Sequence, residues 1–430
     1  MTDIVQLESL SEAEKGRLLS RPVPWDVGTY GDMPLLSDQV AEILAEVRRR
    51  GDAALRELTE RFDGVRLNDL RVSQEAQRRA LQALDPELQA ALETAKRQIE
   101  RFHEHQHLSS YHLEVAPGSE LGQLVKPFRR VGLYVPRNLP SSLLMAAVPA
   151  RLAGVAELAV CTPPGPDGRI PQIVQAAAAL LEINELYAVG GAQAIAALAY
   201  GTESIGRVQK IAGPGNAYVT AAKALVQGEV GIDLLAGPSE ILLIVDRVAK
   251  LSEATLARWS LSELRAQLEH GSGSSALLLT SLPKLAREVA QGLDPDEVRD
   301  RQVTVLHYQK QPVALDFVNA YAPEHLCLWS DGAEHWLEQI ENAGSVFLGP
   351  WSPVALGDYA SGTNHILPTA GRARFGGGLS VRDFVKTISY QRVSPQGLQA
   401  LAPTAIALAQ AEGMRAHAAS IRMRLQEEGR

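Results

Sequence analysis

From Val131 onward the chain repeats one unit: a short apolar run of strand length, a glycine- or proline-bearing turn, and an alanine-rich helical stretch. Val131-Gly132-Leu133-Tyr134-Val135-Pro136 leads through a loop into a helix that includes Met145 and Ala150. Residues 156–161 lead to a helix over 172–181, residues 185–189 to 193–200, and residues 208–211 to 218–226. Strands joined by crossovers of this length pair in parallel, and such crossovers are right-handed. A second series follows Gly237-Pro238-Ser239-Glu240, with strand-like runs at 241–245, 276–280, 303–306 and 346–348 and a helix through 257–270. A chain of 430 residues exceeds one ordinary core. The predicted fold class is therefore α/β, with two Rossmann-like parallel-sheet domains. Changes of pattern near 130, 238 and 380 make 131–237 one domain, inserted into another built from 21–130 and 238–380. Small helical segments, 1–20 and 381–430, flank them, and helical spacing also covers 37–64 and 75–106.

Bulk properties remove several classes of function. A net charge of −8 and a pI near 5.8 leave no electrostatic footprint for nucleic acid or an anionic membrane. No apolar run is long enough to span a bilayer. Residues 1–20 are acidic and amphipathic, with Ser11 and Glu14 spaced as a capping box, and lack the order of a signal peptide. Two cysteines, Cys161 and Cys327, make no disulfide framework, so a reducing cytoplasm is the expected location.

Chemistry concentrates at a few positions. In Asn319-Ala320-Tyr321-Ala322-Pro323-Glu324-His325-Leu326 a carboxyl and an imidazole follow a proline. The proline biases Ala322 toward an extended conformation and ends any preceding helix. On such a segment neighbouring side chains diverge, which suits Glu324 and His325 to two different protons, although an isolated Glu-His pair is commonly a plain loop end. Gly190-Gly191 and Gly213-Pro214-Gly215-Asn216 sit between strand and helix, where backbone can approach a phosphate. No G-x-G-x-x-G accompanies them, and steric needs alone also place glycine there. Gln267 and His270 share a helix face near Gly271, as a metal pair or as a simple helix-end histidine. His103 and His107, four apart, fit a metal or a solvated helix end. The loop Gly357-Asp358-Tyr359-Ala360-Ser361-Gly362-Thr363-Asn364-His365 is glycine-rich and polar, and the last helix carries Glu412 and His417.

Taken together in this order, Gly190-Gly191-Ala192-Gln193, Gly213-Pro214-Gly215-Asn216, Ala236-Gly237-Pro238-Ser239-Glu240, Gln267-Leu268-Glu269-His270, Ala322-Pro323-Glu324-His325-Leu326 and the 357–365 loop resemble the histidinol dehydrogenase family, from about Gly51 to His417. The resemblance implies a four-electron, NAD-dependent oxidation of L-histidinol to L-histidine through the aldehyde, in histidine biosynthesis. It implies one Zn2+ per subunit held by Gln267, His270, Asp358 and His417, with His417 donated across a domain-swapped homodimer. Glu324 and His325 match the catalytic pair, His325 as general base and Glu324 activating water. Ser239, His365 and Glu412 match substrate contacts, which with Gln267, His270, His325, Asp358 and His417 make up the substrate site. Tyr134, Gln193 and Asn216 match positions that meet NAD. Two departures stand out: Arg137-Asn138-Leu139-Pro140 is shorter than the family's loop and lacks its glycine, and Leu268 replaces a smaller alanine beside Gln267. Two alternatives remain at this stage: the same scaffold acting on another small alcohol such as a sulfonated diol, or a non-catalytic NAD- or zinc-binding relative.

Overall fold

The computed structural model describes residues 4–21, 36–271, 273–294, 297 and 303–427, so the outermost residues of the 1–20 and 381–430 segments lie outside it. The chain begins with β1 (Val5–Gln6), α1 (Glu12–Leu19), α2 (Leu36–Arg50), α3 (Asp52–Asp63), β2 (Arg71–Val72), α4 (Gln74–Gln82) and α5 (Pro86–His103). A hairpin of β3 (Tyr111–Ala116) and β4 (Ser119–Pro127) follows. The first alternating series is β5 (Arg130–Tyr134), α6 (Pro140–Leu152), β6 (Glu157–Thr162), α7 (Gln172–Leu180), β7 (Glu185–Ala188), α8 (Gly191–Tyr200), β8 (Lys210–Ala212), α9 (Ala217–Val226) and β9 (Gly231–Ile232). The second is β10 (Glu240–Val245), α10 (Glu253–Leu268), β11 (Ser275–Thr280), α11 (Pro283–Gly292), β12 (Val303–His307), α12 (Gln311–Tyr321), β13 (His325–Trp329), α13 (Ala333–Leu337), β14 (Ser345–Leu348) and α14 (Val354–Tyr359). The chain closes with β15 (Val385–Val393), α15 (Pro395–Ala411) and α16 (Arg415–Glu427).

The strands form two six-stranded sheets, in the orders β2-β7-β6-β5-β8-β9 and β1-β12-β11-β10-β13-β14. All pairings in them are parallel except β2 with β7. The α/β class with parallel sheets is as expected. In both sheets the chain works outward in one direction, returns to the middle, and continues the other way. The reversal falls between β5 and β8 in one sheet and between β10 and β13 in the other. A third sheet, β15-β4-β3, is antiparallel.

Each six-stranded sheet is covered on both faces. One face of the first packs Val40, Leu44 and Leu55 of α2 and α3 with Ile195 and Val219 of α8 and α9. The other packs Leu92 and Ile99 of α5 with Leu144 and Val174 of α6 and α7. Leu256, Leu264 and Val289 cover one face of the second sheet, and Leu7, Phe317 and Trp336 the other. This corrects the grouping of 21–130 with 238–380: α2, α3 and α5 share their core with the sheet of the 131–237 series. The N-terminal segment is also not purely helical, because β1 is an edge strand on β12. Nor is the C-terminal one, since β15 pairs with β4 before the two last helices. The helices expected over 37–64 and 75–106 each divide in two. The Glu203 carboxylate accepts the Asp52 N–H at 2.7 Å and caps a new helix after Gly51. Asp85 caps another, with Pro86 in its first turn, where a missing N–H costs nothing. Cys161 and Cys327 are buried and unpaired.

The amino ends of the first sheet are tied by Arg130. Its guanidinium donates to both carboxylate oxygens of Glu185 at 2.6 Å and to Glu157 at 3.0 Å. The Arg130 bonds hold the Glu185 carboxyl below the usual carboxylate range, outweighing its desolvation. A lowered folded-state pKa stabilises the fold above the unfolded value and loses that contribution as pH falls through the folded value. Replacing Glu185 with Gln should therefore cost about 2 kcal/mol near neutral pH. Denaturant titrations of both proteins should show the difference shrinking below about pH 4.

Candidate active site

Helix α12 ends at Tyr321, as the proline requires, but Ala322 is left-handed (φ 51°, ψ 64°) rather than extended. Its N–H closes the last helical turn on the Val318 carbonyl at 2.8 Å, an end that a following proline commonly accompanies. His325 then enters β13, a central strand that the sequence pattern did not reveal. Pro323 and Gly344 set its entry: the Gly344 N–H donates to the Pro323 carbonyl at 2.8 Å, and a Cβ on Gly344 would lie 2.6 Å from the Glu324 carbonyl oxygen.

Glu324 and His325 are both buried. Their side chains do not separate as the local pattern suggested, since Glu324 Oε2 lies 3.7 Å from His325 Nδ1. Glu324 Oε2 accepts the Ser239 hydroxyl at 2.6 Å and the Glu240 N–H at 2.9 Å. Burial pushes the Glu324 carboxyl up to about 8, against those two bonds. Burial, with the nearby His270, pushes His325 down to about 3 and leaves it neutral. Neither ring nitrogen of His325 has a hydrogen-bond partner among the described residues. A neutral, unpartnered imidazole beside a carboxyl poised near neutrality can take one proton while the carboxyl takes another.

A second buried carboxyl lies behind this pair. Glu240 accepts Arg21 Nη1 at 2.5 Å, and Arg21 also bonds the Tyr321 carbonyl and lies 3.9 Å over the Tyr321 ring. Sequence reasoning missed Arg21, Glu240 and Ser142, because partners this remote along the chain leave no local pattern.

The proposed metal residues reach the same region from α10 and α14. Glu263 accepts the Val354 N–H at 2.7 Å, so the two helices adjoin. One turn further along each stand Gln267 and Asp358. Gln267 is buried with its Nε2 unpartnered, and Leu268 packs into the core beside it without displacing it. Burial and Glu263 raise the Asp358 carboxyl to about 6, with no hydrogen bond or ion pair to its oxygens among the described residues. His270 is exposed at the end of α10, and its charge would oppose protonation of His325 and His365. An unpaired carboxyl, an amide and an imidazole are a donor set that fits a zinc-like cation. His365 donates from Nδ1 to the Asp358 carbonyl at 3.0 Å, which leaves Nε2 of the neutral ring to accept the Ser142 hydroxyl at 3.1 Å.

His417 and Glu412 do not join this group within one chain. Both are exposed, His417 on α16 and Glu412 at the end of α15. Among the described residues no three His, Cys, Asp or Glu converge closely enough to hold a metal. The His103–His107 alternative fails. His103 is buried against Gln106 (2.6 Å) and Asn364 (3.4 Å), while His107 is exposed.

The three residues expected at the cofactor line the carboxyl ends of the first sheet, at the β5/β8 reversal where doubly wound sheets bind ligands. Tyr134 ends β5 and accepts the Gly191 N–H at 3.2 Å. Gln193 is buried in the first turn of α8, and Asn216 caps α9 through the Val219 N–H at 3.1 Å. The short loop between β5 and α6 is tied down by Arg137, which donates to Asp63 at 2.9 Å. Ser142, in the first turn of α6, bonds His365, whose charge would bear on His325.

Two doubly wound parallel sheets, with a buried acid–base pair at the reversal of the second, are the features of an α/β enzyme. A family model for histidinol dehydrogenase matches residues 31–425. A histidinol dehydrogenase of Methanothermobacter thermautotrophicus is 47% identical over 90% of this chain and 93% of its own length. One from Xanthomonas euvesicatoria is 43% identical over 98% and 99%. The crystal structure of histidinol dehydrogenase from Elizabethkingia anophelis superimposes with a TM-score of 0.89 at 34% identity, covering 100% of this chain and 99% of that one. The chain belongs to the histidinol dehydrogenase family.

Ionisation of Glu324, followed by its carboxylate infrared band against a Glu324→Gln reference, should have a midpoint near about 8. In Ser239→Ala the midpoint should move up, because the lost hydroxyl stabilises the charged form. A midpoint in the ordinary carboxylate range would contradict the burial argument.

Proposed function

We propose that the chain oxidises L-histidinol to L-histidine through the aldehyde, drawing on both sites just described. The balance is one alcohol, one water and two NAD+ giving one carboxylate, two NADH and three protons. NAD, when bound near Tyr134, Gln193 and Asn216, accepts the two hydrides. Gln267, His270 and Asp358, with His417, would hold a zinc ion, which would supply a template that orients the substrate. The observation that carries the reading is the buried Glu324–His325 pair, whose imidazole nitrogens lack any protein partner among the described residues.

In the first oxidation the substrate hydroxyl fills that vacancy, and His325 takes its proton as hydride leaves the carbon. In the second, Glu324 takes a proton from the water that adds to the aldehyde. A carboxyl raised to about 8 is, once ionised, a stronger base than an ordinary one. Ser239 and the Glu240 N–H keep that carboxyl oriented, so Ser239 acts through Glu324 as well as facing the substrate. His365, anchored by the Asp358 carbonyl and Ser142, fixes the wall against which the substrate lies. Glu412 suits the substrate's ammonium group and argues for histidinol over a sulfonated diol, whose anionic group it would repel.

The exposed positions of Glu412 and His417 support their delivery to a second subunit's site in a domain-swapped homodimer. Helices α15 and α16 pack on each other and join the remaining chain mainly at β15, where the Ser394 N–H meets the Gly118 carbonyl at 2.8 Å. No helix among the described residues is long and apolar enough to cross a membrane. Unpaired Cys161 and Cys327 suit a reducing cytoplasm, and a net charge of −8 does not favour a nucleic-acid or anionic-membrane partner.

His325→Asn should abolish NADH formation from L-histidinol while zinc stays near about one per chain; undiminished turnover would remove His325 from the mechanism. A parallel assay with the sulfonated diol separates the substrates, and turnover of the diol alone would overturn the histidinol reading. Mixing inactive His325→Asn with inactive His417→Ala should restore about a quarter of wild-type activity, because half the dimers then carry one intact site. No recovery after subunit exchange would mean that His417 serves its own chain.

A further inference from the structure

The β8–α9 loop, Gly213 to Asn216, stops being held by its sheet where the ladder ends. The β5 pairing reaches Ala212 and the β9 pairing reaches Ile211. Gly213 therefore has neither sheet partner. Both of its backbone polar atoms are instead taken by one buried ion pair. Asp233 Oδ2, just beyond β9, accepts the Gly213 N–H at 2.7 Å, and Lys223 Nζ, on α9, donates to the Gly213 carbonyl at 3.0 Å. Lys223 and Asp233 also bond each other, and their side chains are 2% and 1% exposed. Gly213 has φ 112°, and a Cβ there would lie 2.0 Å from the Tyr134 carbonyl oxygen. The pair thus presses this glycine against the residue that ends β5, on the wall of the proposed cofactor crevice.

We infer that Lys223 and Asp233 are positioning residues that clamp Gly213 and thereby set the cofactor-facing loop that carries Asn216. The inference rests on the NAD reading above and deepens it. Stability alone does not call for such a pair, because well-packed apolar residues in its place are commonly no less stable. What the pair supplies is a charged donor and a charged acceptor on the two backbone atoms of a residue that a sheet can no longer hold. Gly213 cannot move without breaking both. Neither side chain need touch the cofactor, since both act through the backbone of the loop.

The test uses full-length, zinc-loaded protein. In Lys223→Met/Asp233→Asn, KM for NAD should rise about tenfold, while KM for L-histidinol and kcat at saturating NAD change by less than about twofold. The Arg130→Met/Glu185→Gln pair, at the opposite edge of the same sheet, is the structural control. It should lower Tm and leave KM for NAD alone. Hydrogen–deuterium exchange of a peptide over 211–217 should be slow in wild type, slower with NAD, and fast in the clamp variant. If the double variant does not fold, Asp233→Asn keeps an oxygen toward Gly213 and should show a smaller rise in KM with the same faster exchange. A KM for NAD within about twofold of wild type, or one that rises equally in the control pair, overturns the inference. If wild type makes no NADH from L-histidinol, the functional reading fails instead, and exchange with and without NAD still reports on the clamp.

Discussion

The bond from the Ser239 hydroxyl and the Glu240 N–H to a single oxygen of Glu324 closes the seam between β10 and β13, at the reversal of the second sheet. A carboxyl in this position has lost its water. It stays useful only because two donors fix it and because Arg21 answers the neighbouring charge of Glu240. An unmatched second buried anion would drive both carboxyls toward their neutral forms. The seam therefore depends on an N-terminal arginine, on the amino ends of two central strands, and on the helix end at Tyr321. Arg21, Glu240 and the Tyr321–Glu324 turn are far from one another in sequence.

That remoteness explains what could be read beforehand. The two βαβ series were legible because burial on both faces makes parallel strands into unbroken apolar runs, as in Ile241-Leu242-Leu243-Ile244-Val245. Strand β13 escaped because Pro323 and Glu324, turn-like and charged, lead into it, and its imidazole is buried where the pattern predicts exposure. The docking of α2, α3 and α5 on the first sheet escaped for another reason. Their amphipathic spacing states that one face is buried, but not against which sheet. The left-handed Ala322 went unforeseen because local preference favours extension before proline, and the α12 cap overrides it. Among the candidate residues, Ser239 bonds Glu324 and His365 bonds the Asp358 carbonyl, whereas Glu412 and His417 stand exposed and apart from them within one chain.

The candidate residues lie at opposite ends of the two sheets, and backbone direction explains what each end suits. At the carboxyl edge of the first sheet, α8 and α9 begin. Their free N–H groups and positive dipole ends favour an anionic group such as a pyrophosphate. At the amino edge of the second sheet, crossover helices finish rather than start. Helix α10 ends at Leu268 beside Gln267 and His270, and α12 ends at Tyr321 beside Glu324. Negative dipole ends gather there, the last α12 carbonyls being taken by Asn342 at Asn319, Arg374 at Ala320 and Arg21 at Tyr321, a setting that favours cations by about 0.3–1 kcal/mol per helix end. It also disfavours a charged carboxyl, in the same sense as the burial that raises Glu324 and Asp358. Opposite electrostatic preferences at the two edges thus follow from which helix ends lie there, before any side chain adds its own charge.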